Sequence, residues 1–182
     1  MGSIVILFSG EGSNLEYLAR VIHKQKLTIV ATITNNPNAG GIAISEQYGI
    51  PCHIIDSKGF DSREEFDTKL VEQISIYNPD LVVLAGFMRV LTPIFTSEVK
   101  AINLHPSLLP RHKGLHAIEK SYDDEYLEGG VTVHYVSSEL DGGDIILQRE
   151  IPKAKLSKEE YKQRVLVLEK EVLADAINMV LD

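Results

Sequence analysis

The chain has a single cysteine, Cys52, and no tryptophan. One thiol allows no internal disulfide and no cysteine-built metal cluster, so Cys52 reads as a small core residue at the start of a strand. Basic residues are also scarce: 18 Lys and Arg stand against 26 Asp and Glu, a formal net charge of -8. A nucleic-acid surface needs clustered cations that displace counterions from phosphates, and this balance argues against such a partner. Any anionic ligand has to be held by a local device. No apolar run approaches the ~20 residues that span a bilayer; the longest lies around Leu81 to Met88. No basic segment precedes an apolar one at the N-terminus, so no leader is read there, no membrane partner is expected, and the expected location is the cytoplasm.

What is present is the composition of an ordinary globular protein. With 182 residues, 44% hydrophobic and 24% charged, one core is expected and a single domain over 1-182 is the default. Ile4 to Phe8 is continuously apolar, as in a strand buried on both faces. After Ser9-Gly10-Glu11-Gly12-Ser13-Asn14 the period becomes helical, with Leu15, Leu18, Val21 and Ile22 on one side. Strands at 28-33, 52-55 and 81-85 alternate with helices from about 42 to 48 and from Ser62 onward. Ser62 and Glu65 form a capping-box pattern there, and Phe66, Leu70 and Ile74 make one stripe. Thr92-Pro93 looks like an N-cap with proline at the first helical position. The alternation predicts an α/β fold with a doubly wound, mostly parallel central sheet and helices on both faces.

The second half is less regular. Residues 117-126 can be a helix, which Gly129-Gly130 is expected to break before a strand at 131-136. Residues 145-151 read as a further strand, antiparallel to its neighbour. Ser157 and Glu160 open a long helix with Tyr161, Val165, Leu168, Val172 and Ala176 on one face.

The chemistry centres on Asn103-Leu104-His105-Pro106. Residues 101-104 read as a buried strand that Pro106 cannot continue. Asn103 and His105, two apart on that strand, point to one face at its carboxyl end, where open α/β sheets bind ligands. An amide donor beside an imidazole suits a reaction that generates an oxyanion. Asp141, in the glycine-flexed stretch Asp141-Gly142-Gly143, lies where a loop could bring its carboxylate against His105; the plainer account makes it a turn residue bonding its own backbone. The turn around Gly12, Ser13 and Asn14 suggests a phosphate cradle at a helix N-terminus. It matches neither the dinucleotide fingerprint nor the P-loop, and Ser13 with Glu16 could instead cap the helix. His112 and His116 have i, i+4 spacing, but they sit in a proline- and glycine-punctuated loop without an obvious third ligand. They read, with His23, His53 and His134, as non-ligands, and no metal is expected.

Four stretches in order, Ser9 to Asn14, Ala85-Gly86-Phe87-Met88-Arg89, Asn103 to Pro110 and Glu139 to Gly143, resemble the phosphoribosylglycinamide formyltransferase family, a branch of the folate-dependent formyltransferases. The Asn-x-His-Pro core and the Asp loop belong to the wider superfamily, and Ser-Gly-x-Gly-Ser-Asn narrows the match. The resemblance implies 10-formyltetrahydrofolate as co-substrate, glycinamide ribonucleotide as acceptor, and a monomer or homodimer. It implies that Asn103, His105 and Asp141 are catalytic, and that Gly12, Ser13, Asn14 and Glu169 bind the ribonucleotide. Formylfolate contacts are implied for Arg63, for Met88, Arg89, Val90 and Leu91, for Asn103, and for Ser137, Ser138, Glu139, Leu140 and Asp141. Taken by themselves, Arg63 and Glu169 read as ordinary charged residues on solvated helices. The loop Arg111-His112-Lys113-Gly114 departs from the family in lacking the aromatic residue many members carry before the glycine.

Overall fold

The computed structural model describes residues 1-182. Seven strands are ordered β3-β2-β1-β4-β5-β6-β7 in a mixed, mostly parallel sheet flanked by helices. Two compact units make up the chain: residues 1-102 with Leu181, and residues 103-180 with Asp182.

In the first unit β1 (Gly2–Phe8) pairs in parallel with β2 (Leu27–Thr34) on one side and β4 (Leu81–Leu84) on the other, and β2 pairs with β3 (Cys52–Ile54). Ile4 to Phe8 are all 0% exposed, so the unbroken apolar run reflects burial on both faces. The helices are α1 (Ser13–Val21), α2 (Gly41–Gln47), α3 (Arg63–Tyr77) and α4 (Pro93–Glu98), with α1 against α2 and α3 against α4. Chain order reverses about β1, whose neighbours lead away in opposite directions. The carboxyl ends of β1 and β4 therefore flank a switch point, the place where such sheets leave a crevice.

One alternative is excluded here, and one expectation is borne out with an unexpected partner. Ser13 does not cap α1: Gly12 is the N-cap, at φ 80°, and no side chain bonds the free N–H groups. A Cβ on Gly12 would come within 2.7 Å of the Gly41 Cα, so a glycine is required both by the left-handed backbone and by the close approach. Thr92 is the N-cap of α4, but its hydroxyl turns away and donates to buried Asp67 Oδ2 at 2.7 Å, as does its backbone N–H at 2.6 Å.

The second unit takes up the end of β5 (Ala101–His105) and contains α5 (Ala117–Asp123), β6 (Glu128–Tyr135), antiparallel β7 (Ile145–Pro152) and α6 (Lys158–Leu181). The capping box at Ser157 and Glu160 forms as expected, and Tyr161, Val165, Val172 and Ala176 are fully buried, whereas Leu168 is only partly so. Gly129-Gly130 does not break the chain ahead of β6; both glycines lie inside it. A Cβ on Gly129 would overlap the Tyr161 hydroxyl, and one on Gly130 the Arg149 carbonyl oxygen. These glycines answer long-range contacts, which a local reading of turn signals cannot register. The preceding helix ends at Asp123 with Asp124 as C-cap, three residues short of the expected end.

Candidate functional site

Strand β5 carries Asn103 and His105 to its carboxyl end, where Pro106 stops the ladder. The following loop is held on β6 and β7 through one hydroxyl: Thr132 Oγ1 donates to the Ser107 carbonyl at 2.7 Å and accepts the Leu109 N–H at 3.1 Å and Gln148 Nε2 at 2.8 Å. His105, 6% exposed, points its Nδ1 at Asp141 Oδ2, 3.5 Å away, and its Nε2 donates to the His112 carbonyl at 2.8 Å. A carbonyl can only accept, so Nε2 carries a proton and the nitrogen facing the carboxylate is Nδ1. The form with protons on both nitrogens is the one in which each ring nitrogen has an acceptor.

Asp141 has φ 51° and does not bond its own turn; Oδ2 accepts the Gly114 N–H at 2.8 Å. Its other oxygen lies 3.7 Å from His134 Nε2, on a ring whose Nδ1 donates to the Tyr135 carbonyl at 2.9 Å. That Nε2 is buried and has no hydrogen-bond partner. The carboxylate thus sits between two imidazoles. Burial alone pushes the Asp141 carboxyl up, but His134, the Gly114 N–H and His105 outweigh it and hold the group below its ordinary value. A depressed carboxyl contributes stability that is complete above its unfolded pKa, ordinarily 3.8, and is lost as pH falls through the lower folded value. In urea titrations the contribution that Asp141 makes over Asp141→Asn is therefore expected to be present at about pH 5 and to shrink below about pH 4.

In the first unit the loop after β1 and the segment after β4 meet through Ser9. Its Oγ donates to Asn35 Oδ1 at 2.5 Å and accepts the Met88 N–H at 2.8 Å, and its own N–H donates to the Gly86 carbonyl at 3.0 Å. Ser9 thereby ties Gly86 and Met88 to the loop that leads into the Gly12-Ser13-Asn14 turn. The uncapped N-terminus of α1 leaves backbone donors for an anion, and the Asn14 Oδ1 is buried without a partner. Met88 and Val90 are 66% and 52% exposed, while Arg89 turns inward with its guanidinium 4.2 Å from the Phe66 ring centroid. Arg63 is exposed on the first residue of α3, where Ser62 accepts the Glu65 N–H at 3.1 Å. The Glu65 carboxylate reaches back to Asp61 N rather than to Ser62 N, so the expected reciprocal box is half formed.

Within the second unit, Ser137, Ser138, Glu139 and Leu140 lead into the Asp141 turn, with Leu140 56% exposed and Glu139 paired to Lys113 Nζ at 2.9 Å. Gly143 is required there, because a Cβ would overlap the Tyr135 carbonyl oxygen. Glu169 is half-buried on α6. Two groups to which the sequence assigns no part at this site stand beside His105 and Asp141: His134, and the backbone of the Arg111 to Gly114 loop. Nothing local marks His134, since its place beside Asp141 follows from the pairing of β6. No group of three or more His, Cys, Asp or Glu is arranged to hold a metal ion, and no helix is long and apolar enough to cross a membrane.

Comparison with known proteins gives a consistent set of relatives. The family described as formyl transferase matches residues 3–177. Phosphoribosylglycinamide formyltransferase of Escherichia coli K12 is 44% identical over 154 residues, covering 82% of this chain and 73% of that protein. The crystal structure of phosphoribosylglycinamide formyltransferase from Campylobacter jejuni superposes with a TM-score of 0.97 at 45% identity, covering 100% of this chain and 98% of the other. The trifunctional purine biosynthetic protein adenosine-3 of Bos taurus is 36% identical over 182 residues, which cover 97% of this chain and 18% of that longer protein.

Proposed function

The chain belongs to the formyl transferase family, and from that premise we propose that it transfers the formyl group of 10-formyltetrahydrofolate to the amine of N1-(5-phospho-D-ribosyl)glycinamide in purine synthesis. The products are the N-formyl ribonucleotide and tetrahydrofolate. The observation that carries the reading is the buried His105 imidazole facing the buried Asp141 carboxylate at 3.5 Å, two residues along β5 from the Asn103 amide.

The amine attacks the formyl carbon, and the carbonyl oxygen gains negative charge as the tetrahedral intermediate forms. Asn103 and protonated His105 stabilise that oxyanion. As the intermediate collapses, the bond from the formyl carbon to the folate nitrogen breaks and His105 delivers a proton to that departing nitrogen. The proton shed by the attacking amine passes through water to Asp141, which returns it to His105. Asp141, held charged by its surroundings, keeps the imidazolium in place, a role in which burial strengthens the attraction. Gly12, Ser13 and Asn14 receive the ribonucleotide phosphate through helix N-terminal donors, and Glu169 takes its ribose. Met88 to Leu91, Arg63 and Ser137 to Asp141 contact the folate, with Arg63 on its carboxylate-bearing tail. All of this belongs to one formyltransferase domain acting in the cytoplasm.

The test is a spectrophotometric record of formylfolate consumption with and without glycinamide ribonucleotide. Consumption strictly dependent on the ribonucleotide is expected. Equal consumption without it indicates a hydrolase using water as acceptor, and none under either condition indicates a binding module; either result overturns the reading.

A further inference from the structure

Behind His105 runs a polar chain that the transfer reaction does not itself call for. His112 holds His105 by its carbonyl, and its own side chain points the other way, with Nε2 donating to Asp124 Oδ2 at 2.7 Å. His112 adopts φ 56°, a conformation uncommon for a residue with a side chain and one that needs support from its surroundings. Asp124 is the C-cap of α5, and its carboxylate also accepts Lys153 Nζ at 2.6 Å and the Tyr126 N–H at 3.0 Å. The Lys153 ammonium additionally donates to the carbonyls of Ser121 at 2.8 Å, Tyr122 at 3.3 Å and Asp124 at 3.1 Å. It therefore caps the last turn of α5 while neutralising the carboxylate, as suits a cation at a helix C-terminus.

These groups are far from ordinary surface pairs, with side chains 10% exposed at Lys153, 13% at Asp124 and 25% at His112. Burial alone pushes the Asp124 carboxyl up, yet the bonds from Lys153, His112 and Tyr126 outweigh it, so the group stays charged well into acid. A charged carboxylate anchored by a lysine with four oxygen acceptors is a fixed point. His112 is suspended from it, and His105 is suspended from His112.

We propose that His112 is a positioning residue for formyl transfer: anchored through its imidazole to Asp124 and Lys153, it uses its carbonyl to hold His105 in the Nε2–H tautomer with Nδ1 toward Asp141. This rests on the transfer reaction assigned above. The side-chain link explains why a loop residue in a left-handed conformation carries a hydrogen-bonding side chain directed inward. Loss of the link frees the His112 peptide to shift, and the His105 ring then loses the acceptor that selects its tautomer.

His112→Phe keeps a ring of similar size without a donor, whereas His112→Gln keeps an N–H at nearly the same reach as Nε2. Ring nitrogen chemical shifts of His105, read by NMR of histidine-labelled protein in the neutral ring, report its tautomer without any substrate. Wild type and His112→Gln are expected to show the single Nε2–H form, and His112→Phe a mixture of both. In the assay His112→Phe is expected to lose about 10- to 100-fold in kcat with both KM values nearly unchanged, the scale on which a small misplacement of a reacting group costs rate, and His112→Gln to recover most of it. Asp124→Asn should reproduce the phenylalanine variant wherever urea unfolding shows it folded. An unchanged His105 tautomer in His112→Phe, or a kcat equal to or above wild type, overturns the proposal. Because the ring readout needs no turnover, its failure is distinguishable from failure of the transfer reading.

Discussion

Replacing Asp141 with asparagine is expected to lower kcat about 10²- to 10⁴-fold, the range spanned by loss of a positioned acid–base function, with little change in either KM. The amide fits the same space. Its oxygen can keep the Gly114 N–H that Oδ2 accepts at 2.8 Å, and its NH₂ can turn to the His134 Nε2 that the carboxylate faces at 3.7 Å. What the substitution removes is the negative charge opposite His105 Nδ1. An imidazolium loses its counter-charge at a buried site, where such attractions are worth several times their value in water. Steady-state kinetics with both substrates varied check this. A kcat within threefold of wild type would remove Asp141 from the mechanism, because the fold and the Gly114 contact survive the change.

The second large effect is at Asn103. Asn103→Ala is expected to reduce kcat by ~10²–10³-fold, about 2.7–4 kcal/mol of transition-state stabilisation, as when one oxyanion donor is removed elsewhere. Ground-state binding should be nearly intact, because the formyl oxygen of the bound donor is neutral and acquires charge only as the amine adds. Asn103 is only half-buried at the end of β5, so truncation there should shift the urea midpoint slightly. Asn103→Asp keeps the shape and replaces the donor with an acceptor; it should be at least as damaging as alanine. A rise in KM with an unchanged kcat would instead mean that the amide binds substrate uniformly in ground and transition states.

Periodicity carried most of the fold. Ile4 to Phe8, the Phe66, Leu70 and Ile74 stripe, and the Ser157 capping box all appear as the local pattern indicates, because each depends on neighbours within one strand or one helical turn. The departures have long-range causes. The Ser13 and Glu16 spacing offers a helix cap as one alternative, yet Gly12 takes that position, in a left-handed backbone where a Cβ would meet the Gly41 Cα. Gly129-Gly130 reads as a break, yet the pair belongs to β6 because Tyr161 and Arg149 leave no room for side chains. Thr92 was legible as an N-cap, but its bond to Asp67, 25 residues away, was not.

The candidate site divides the same way. Pro106 and the i, i+2 spacing of Asn103 and His105 point to a strand end bearing two polar groups, and the Asp-Gly-Gly signal marks a turn. Which carboxylate oxygen faces which ring is set by the pairing of β6 and by the left-handed backbone at Asp141. His134 and Lys153 carry no motif. Their significance comes from what lies beside them, a buried carboxylate in one case and the end of α5 in the other.

The most direct test follows the formyl carbon itself. With 10-formyltetrahydrofolate labelled with carbon-13 in the formyl group, a single turnover in the presence of glycinamide ribonucleotide should move the label into the N-formyl product, one equivalent for each tetrahydrofolate released. In Asn103→Ala and Asp141→Asn the transfer should slow while the destination of the label stays the same. Label recovered as free formate, or retained on the folate while the ribonucleotide remains unmodified, would contradict an enzyme built to join that carbon to an amine.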